Sequence, residues 1–477
     1  MGIEIYRPGS IDGAYTPEED GGAGIAGEAF LGADMWVPEH AIKNKGAFLR
    51  AATVMTQNTR TGDLQQVRLA KEVGNHIVVA RHLFTEDKWL DRLSGWTELK
   101  LDHLWENIDF GDRVTPRSGD QELAWESFSK QECGILNLSC GKGKTVMALK
   151  KIAQRGYPAL VIVNNTGLLD QWKDRALEFL SLPEEDIGIV QGPRGEWDKS
   201  LVIGMIHTIA NRSGELEKEV RRRFGTIVFD EVHHLAAAKF SLTAPLFYGN
   251  RYGLTATPKR EDGLEPVYYA QIGPIFYTDT KGELESSIYF KPTDTQKPED
   301  PREIEDRTGE FSAGRMYKYL ANHEGRNEVI LDIVAKSLES GRKILVLVHA
   351  KDHPEILLGE FVASPCMNMY TAGAVSGKTP GPQRTQIIED SNVTFATFQV
   401  AKEGLDVASL DTLVLATPFK SWGGFQQGKG RIERRHKDKK DPLVIVLDDI
   451  NIGPAHAMCK SLRRQILAHG FRFKNTK

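Results

Sequence analysis

A chain of 477 residues with 40% hydrophobic and 26% charged residues has the composition of a folded globular protein with room for two to four domains. No apolar run approaches the roughly 18 residues that span a bilayer, and no basic-then-apolar leader is present. Four cysteines without CxxC spacing indicate neither a zinc site nor a disulfide framework. The net charge of -4 does not exclude nucleic acid, because binding needs a local basic track and not a basic total.

Residues 1–112 carry no nucleotide-chemistry motif and read as a small α+β accessory domain, with strands expected at 35–38 and 76–80. Its first 35 residues are acidic. Residues 40–71 hold Lys43, Lys45, Arg50, Arg60, Arg68 and Lys71 against the single acid Asp63, either a basic track or a solvated face. Gly22, Gly24 and Gly27 match GxGxxG, but residues 16–20 before them are no strand. A flexible loop is expected there, not a dinucleotide site.

From 113 to 285, apolar strands alternate with amphipathic helices, the rhythm of a parallel sheet. The run 134–138 leads into Ser139, Cys140, Gly141, Lys142, Gly143, Lys144 and Thr145, a strand, glycine loop and helix start whose N–H groups would wrap a triphosphate. Leu138 stands where the strict GxxxxGK[ST] pattern has its first glycine. Lys144 is expected on the β- and γ-phosphates and Thr145 on Mg²⁺. Further strands are expected at 159–163, 201–204 and 227–229, the last followed by Asp230 and Glu231. This pair supplies one acid for the metal and one for the attacking water. His233 and His234 have no further ligand at metal-binding spacing, and His349 and His353 read as surface or core residues.

Residues 286–325 read as a linker or insertion, from the charged, proline-containing stretch 281–312. A second parallel-sheet domain is expected over 326–477, with strands at 343–348, 393–396, 412–416 and 443–447. Gln427 opens a segment in which Arg431 and Arg434 share one helical face. Arginines so placed can reach a γ-phosphate and contribute on the order of 10³–10⁵ in rate. Arg435, Lys437, Lys439 and Lys440 read as a solvated basic stretch.

With these motifs in order, the chain resembles the superfamily-2 helicases of DExH type, most of all the XPB-type and phage UvsW-type DNA helicases. The resemblance implies two tandem RecA-like domains and ATP with Mg²⁺, while the scattered cysteines and the lack of a spanning run or leader predict a cytoplasmic protein, in the host cytoplasm if the source is viral. It assigns Arg117 and Gln121 to the adenine base. Asn165 and Thr166, then His207 and Thr208, resemble strand-contacting motifs, and Thr255 to Pro258 resemble the motif coupling hydrolysis to movement. Arg260 to Gly263 resemble a segment that recurs in XPB-type enzymes, which places Arg260 near nucleic acid. Residues 397–406 resemble a motif touching both DNA, through Thr397, and nucleotide, through Gly404 and Asp406. Cys140 and Lys142 replace the commoner threonine and serine or alanine, and Gly428 stands where arginine is frequent. The implied function is ATP-dependent remodelling of single-stranded, forked or branched DNA in replication, recombination or repair. An RNA helicase is the alternative, since backbone contacts dominate both. A non-catalytic scaffold predicts a lost Lys144, Glu231 or Arg434, and all three are present. No separate nuclease domain fits the remaining residues. Residues 407–426 leave little room for a long duplex-splitting hairpin, which favours branch migration or annealing.

Overall fold

Parallel strands covered on both faces need uninterrupted apolar runs, and this chain supplies them twice. The architecture comes from a computed structural model, which describes residues 29–31, 34–57, 64–85, 89, 91–93, 98–100, 105–237, 239–260, 262–280, 282, 284–365, 369–402, 407–437 and 439–475. The glycines at 22, 24 and 27, together with Arg60 and Asp63, lie outside them. The chain divides into two compact units, one of residues up to 138 with 143–280, the other of 139–142 with 281–477.

The first unit opens with β1 (Ala29–Leu31), β2 (Met35–Pro38), the hairpin β3 (Thr53–Gln57) and β4 (Leu64–Arg68), then β5 (Ala70–Val73), β6 (His76–Val79) and β7 (Glu98–Lys100). Strands β5-β6-β2-β1-β7 form one sheet, and β3 pairs with β4 apart from it. Next come β8 (Gly134–Leu138), β9 (Ala159–Val163), β10 (Ile187–Gln191), β11 (Arg194–Gly195), β12 (Leu201–Met205), β13 (Thr226–Phe229), β14 (Asn250–Thr255) and β15 (Ile275–Asp279). They form an eight-stranded sheet in the order β11-β10-β12-β9-β13-β14-β8-β15. All its pairs are parallel except β10 with β11. Every residue of β8, β9 and β13 is buried, as helices on both faces require.

The accessory domain expected over 1–112 shares its core with the unit that carries the eight-stranded sheet. Phe48, Ile77, Leu83 and Trp89 belong to one buried apolar cluster with Phe247, Tyr268 and Ala270. Backbone links reinforce it: His82 N–H donates to the Ala270 carbonyl at 2.8 Å, Arg81 to the carbonyls of Tyr248 and Gly249, and Thr56 to that of Asp262. The break in motif content at residue 112 therefore does not mark a break in the core.

The second unit holds β16 (Ser287–Thr293), β17 (Ile344–Val348), β18 (Ala372–Val375), β19 (Val393–Thr397), β20 (Thr412–Leu415), β21 (Leu443–Asp449) and β22 (Lys474–Asn475). They make a wholly parallel sheet in the order β18-β19-β17-β20-β21-β16-β22. The linker expected over 286–325 is corrected by β16, which pairs along its whole length with β21. Ser287–Thr293 alternates buried and exposed positions and contains a proline, so charge and Pro content concealed a strand. Beneath the sheet, Arg326 grips Asp449 with contacts of 2.7 and 3.0 Å, both side chains fully buried. Thr293 and Thr295 hydroxyls also donate to Asp449. The Arg326 guanidinium and these hydrogen bonds hold the Asp449 carboxyl below its usual range despite burial. Among the described residues, no helix is long and apolar enough to cross a membrane.

Candidate active site

Strand β8 delivers the glycine loop to the head of the helix Lys144–Arg155. Gly141 and Gly143 take φ values of 88° and 84°, a region glycine enters without steric cost. The loop thus turns sharply onto a helix N-terminus, where N–H groups and the helix dipole favour an anion. A Cβ at Gly143 would stand 2.9 Å from Gln121 Nε2, so the glutamine expected to read the base lies against the loop. Gln121 is itself fixed, since its Oε1 accepts the Arg117 N–H at 2.8 Å and Ser118 caps its helix. Lys144 Nζ donates to the Leu138 carbonyl at 3.1 Å, holding its ammonium at the loop's root. Residues Ser139–Lys142 group with the second unit. Within that unit, a Cβ at Gly141 would stand 2.9 Å from Arg434 Cγ, and one at Gly430 2.8 Å from Cys140 Cβ.

At the carboxyl end of β13, the chain passes through Glu231 at a φ of 46°, the one positive φ at a non-glycine among the described residues. Such strain costs roughly 1–3 kcal/mol and gathers at functional sites. Asp230 is buried at 8% exposure. Its Oδ1 accepts the Glu231 N–H at 2.9 Å and its Oδ2 accepts Trp172 Nε1–H at 2.7 Å. Burial first, then the Glu231 charge, push the Asp230 carboxyl up to about 6, against the Trp172 hydrogen bond and the Lys144 ammonium. Two crowded carboxylates beside a phosphate cradle are what a bound divalent cation relieves. The crowding at Asp230 suits a divalent cation, and Thr145, at the head of the helix Lys144–Arg155, is the other residue expected to hold it. His233 Nδ1 lies 3.4 Å from Glu231 Oε2 and 3.3 Å from Thr255 Oγ1, and that hydroxyl accepts the Thr257 N–H at 3.0 Å. A polar chain thus joins Glu231 to the segment expected to couple hydrolysis to movement.

The residues expected on nucleic acid have these places. Asn165 caps the helix Thr166–Phe179 by accepting Leu168 N–H at 2.9 Å, and Thr166 Oγ1 accepts from Gln191 at 3.0 Å. Thr208 Oγ1 accepts the Gly192 N–H at 3.0 Å, while His207 packs edge-on against Phe240. Arg260 is folded inward: its guanidinium forks onto Asp262 at 2.8 and 2.5 Å and donates to the His233 carbonyl. In the second unit, Thr397 ends β19 with a buried hydroxyl that finds no hydrogen-bond partner among the described residues. Gln427 and Arg431 lie on the helix Trp422–Ile432, and Arg434 follows its end. Gly404, Asp406 and Glu261 lie outside the described residues.

A family described as the Type III restriction enzyme res subunit matches residues 99–260. A DNA 3'-5' translocase XPB2 from Sulfurisphaera tokodaii is 26% identical over 390 residues, which cover 74% of this chain and 85% of the relative. A DNA 3'-5' helicase XPB from Kineococcus radiotolerans is 28% identical over 330 residues, covering 67% and 57%. Over about two thirds of its length or more, the chain is thus similar to DNA helicases and translocases of XPB type. Across solved structures, it is similar to T4 UvsW over 94% of its length and 99% of that chain, at 16% identity and a TM-score of 0.37. The chain spans between 54% and 60% of the length of three of its curated relatives. Trp172 is not singled out by the motif that begins at Asn165, and its bond to Asp230 is something sequence reasoning missed. The available signal was its place seven residues, about two turns, after Asn165 on an apolar helix face.

Proposed function

We propose that the chain is an ATP-driven DNA translocase that remodels forked or branched DNA. The observation that carries this is the buried Asp230 beside the half-buried Glu231, the latter in strained backbone, with the Lys144 ammonium of a glycine loop close enough to act on Asp230. Lys144 neutralises phosphate charge, and the loop amides bind the remaining oxygens. Thr145 and Asp230 would hold Mg²⁺, which would supply positive charge to the triphosphate. Glu231 orients the attacking water and takes its proton, and the resulting charge change reaches Thr255 through His233. Arg431 and Arg434 stabilise charge that develops on the transferred phosphoryl group. Asn165, Thr166, His207, Thr208 and Thr397 grip the sugar-phosphate backbone, so the sequence of the strand is not read. Cycles of hydrolysis then alternate the grip of the two units on one strand.

Lys144→Ala is expected to abolish ATP hydrolysis while keeping DNA binding, and parent-level turnover in this variant rejects the phosphate assignment. Arg434→Ala is expected to lower kcat at least 100-fold with little change in nucleotide affinity; an unchanged kcat removes its role. ATPase stimulation by single-stranded DNA is expected to exceed that by RNA, and the reverse order would make RNA the substrate.

A further inference from the structure

The helix Thr166–Phe179 begins at the two residues expected to hold the strand, Asn165 and Thr166, and directly follows β9. About two turns on, Trp172 lies on that helix with no exposure. An indole N–H is a donor with no acceptor capacity. Here it is spent on Asp230 Oδ2 at 2.7 Å, a short, buried, charge-assisted bond. Asp230 is otherwise tied to the same layer, since its N–H donates to the Ile162 carbonyl of β9 at 3.0 Å. The carboxylate therefore has one oxygen set by its own chain and the other set by the strand-contact helix. Packing alone does not account for this: a phenyl ring fills most of the same apolar space but leaves Asp230 Oδ2 without its donor, and a buried acceptor so orphaned is costly.

We propose that Trp172 is a positioning residue that couples nucleic-acid binding to the metal-holding carboxylate. A displacement of the helix by the bound strand moves the indole and re-aims Asp230 Oδ2, so the strand and the Mg²⁺–nucleotide complex each raise the affinity of the other. The inference rests on the function proposed above. It requires no contact outside the first unit, because β9, the helix and Asp230 all belong to it.

The test replaces Trp172 with benzothienylalanine, an isostere that keeps the ring and lacks the N–H, alongside Trp172→Phe. Binding of a fluorescent ADP analogue is measured in EDTA and in Mg²⁺, each with and without single-stranded DNA. In the isostere variant, affinity in EDTA is expected to match the parent, the Mg²⁺-dependent gain to shrink 3- to 10-fold, and the DNA-dependent gain to vanish. Trp172→Phe is expected to behave alike with a lower Tm. Parent-level Mg²⁺ and DNA gains in the isostere variant overturn the proposal, whatever happens to Tm, because a packing role predicts that result. If the parent itself shows neither ATPase nor a DNA-dependent gain, the proposed function fails first.

Discussion

Asp230 shows how burying a single carboxyl beside a second acid costs stability. Its carboxyl is raised from the ordinary 3.8 to about 6, chiefly by burial and then by Glu231. Between these values the folded chain keeps a proton that the unfolded chain has released. The unfolding free energy therefore falls as pH rises through that window, and the penalty is complete above about 6. Asp230→Asn removes the charge, although one amide oxygen must then serve the two donors that the carboxylate serves with separate oxygens. We expect the variant, free of metal and nucleotide, to be more stable than the parent by about 1–3 kcal/mol at pH 8. The gain should disappear toward pH 4. A chemical-denaturation series over that range checks it, and a gain independent of pH would assign the effect to something other than ionisation. The raised carboxyl was not legible in the sequence, which shows two adjacent acids but not the layer that covers them.

At the scale of elements, the helix Trp422–Ile432 is anchored by charge as well as by apolar contact. Lys429 and Glu433 form a buried pair at 2.5 Å, Glu433 also accepts from Ser286 at 2.5 Å, and the Glu433 carbonyl accepts the Leu284 N–H at 3.0 Å. Breaking one partner of a buried pair leaves an uncompensated charge, at a cost of about 3–5 kcal/mol. Glu433→Leu is expected to lower stability by that amount and to depress ATPase, whereas Lys429→Met combined with Glu433→Leu should recover most of the stability. Denaturant midpoints decide it; a double variant as unstable as the single one shows that the pair is not the source. Sequence spacing singled out Arg431 and Arg434 as sharing one helical face, although the helix ends at Ile432 and only Arg431 lies on it. Lys429 and Glu433 received no role of their own from the sequence, which cannot show that an i, i+4 pair, usually left in solvent, is buried. A bias toward surface readings hid β16, where charge and a proline masked an alternating strand.

For the whole molecule, the parallel sheets were legible because a strand buried on both faces permits only apolar residues, and β9, β13 and β17 are fully buried runs. The division of the chain was not legible, because motifs record chemistry and not packing. Phe48, Leu83 and Trp89 lie under the same apolar roof as Tyr268 and Phe247. A chain lacking residues 1–112 is therefore expected to expose that apolar surface and to aggregate, which size-exclusion chromatography and light scattering measure. A monodisperse truncated chain with parent-level thermal stability would show that the two parts fold independently. If the common core holds, the N-terminal sheet cannot swing on a tether. Under the proposed function, anything that sheet grasps would travel as one piece with the layer that carries Lys144, Asp230 and Glu231.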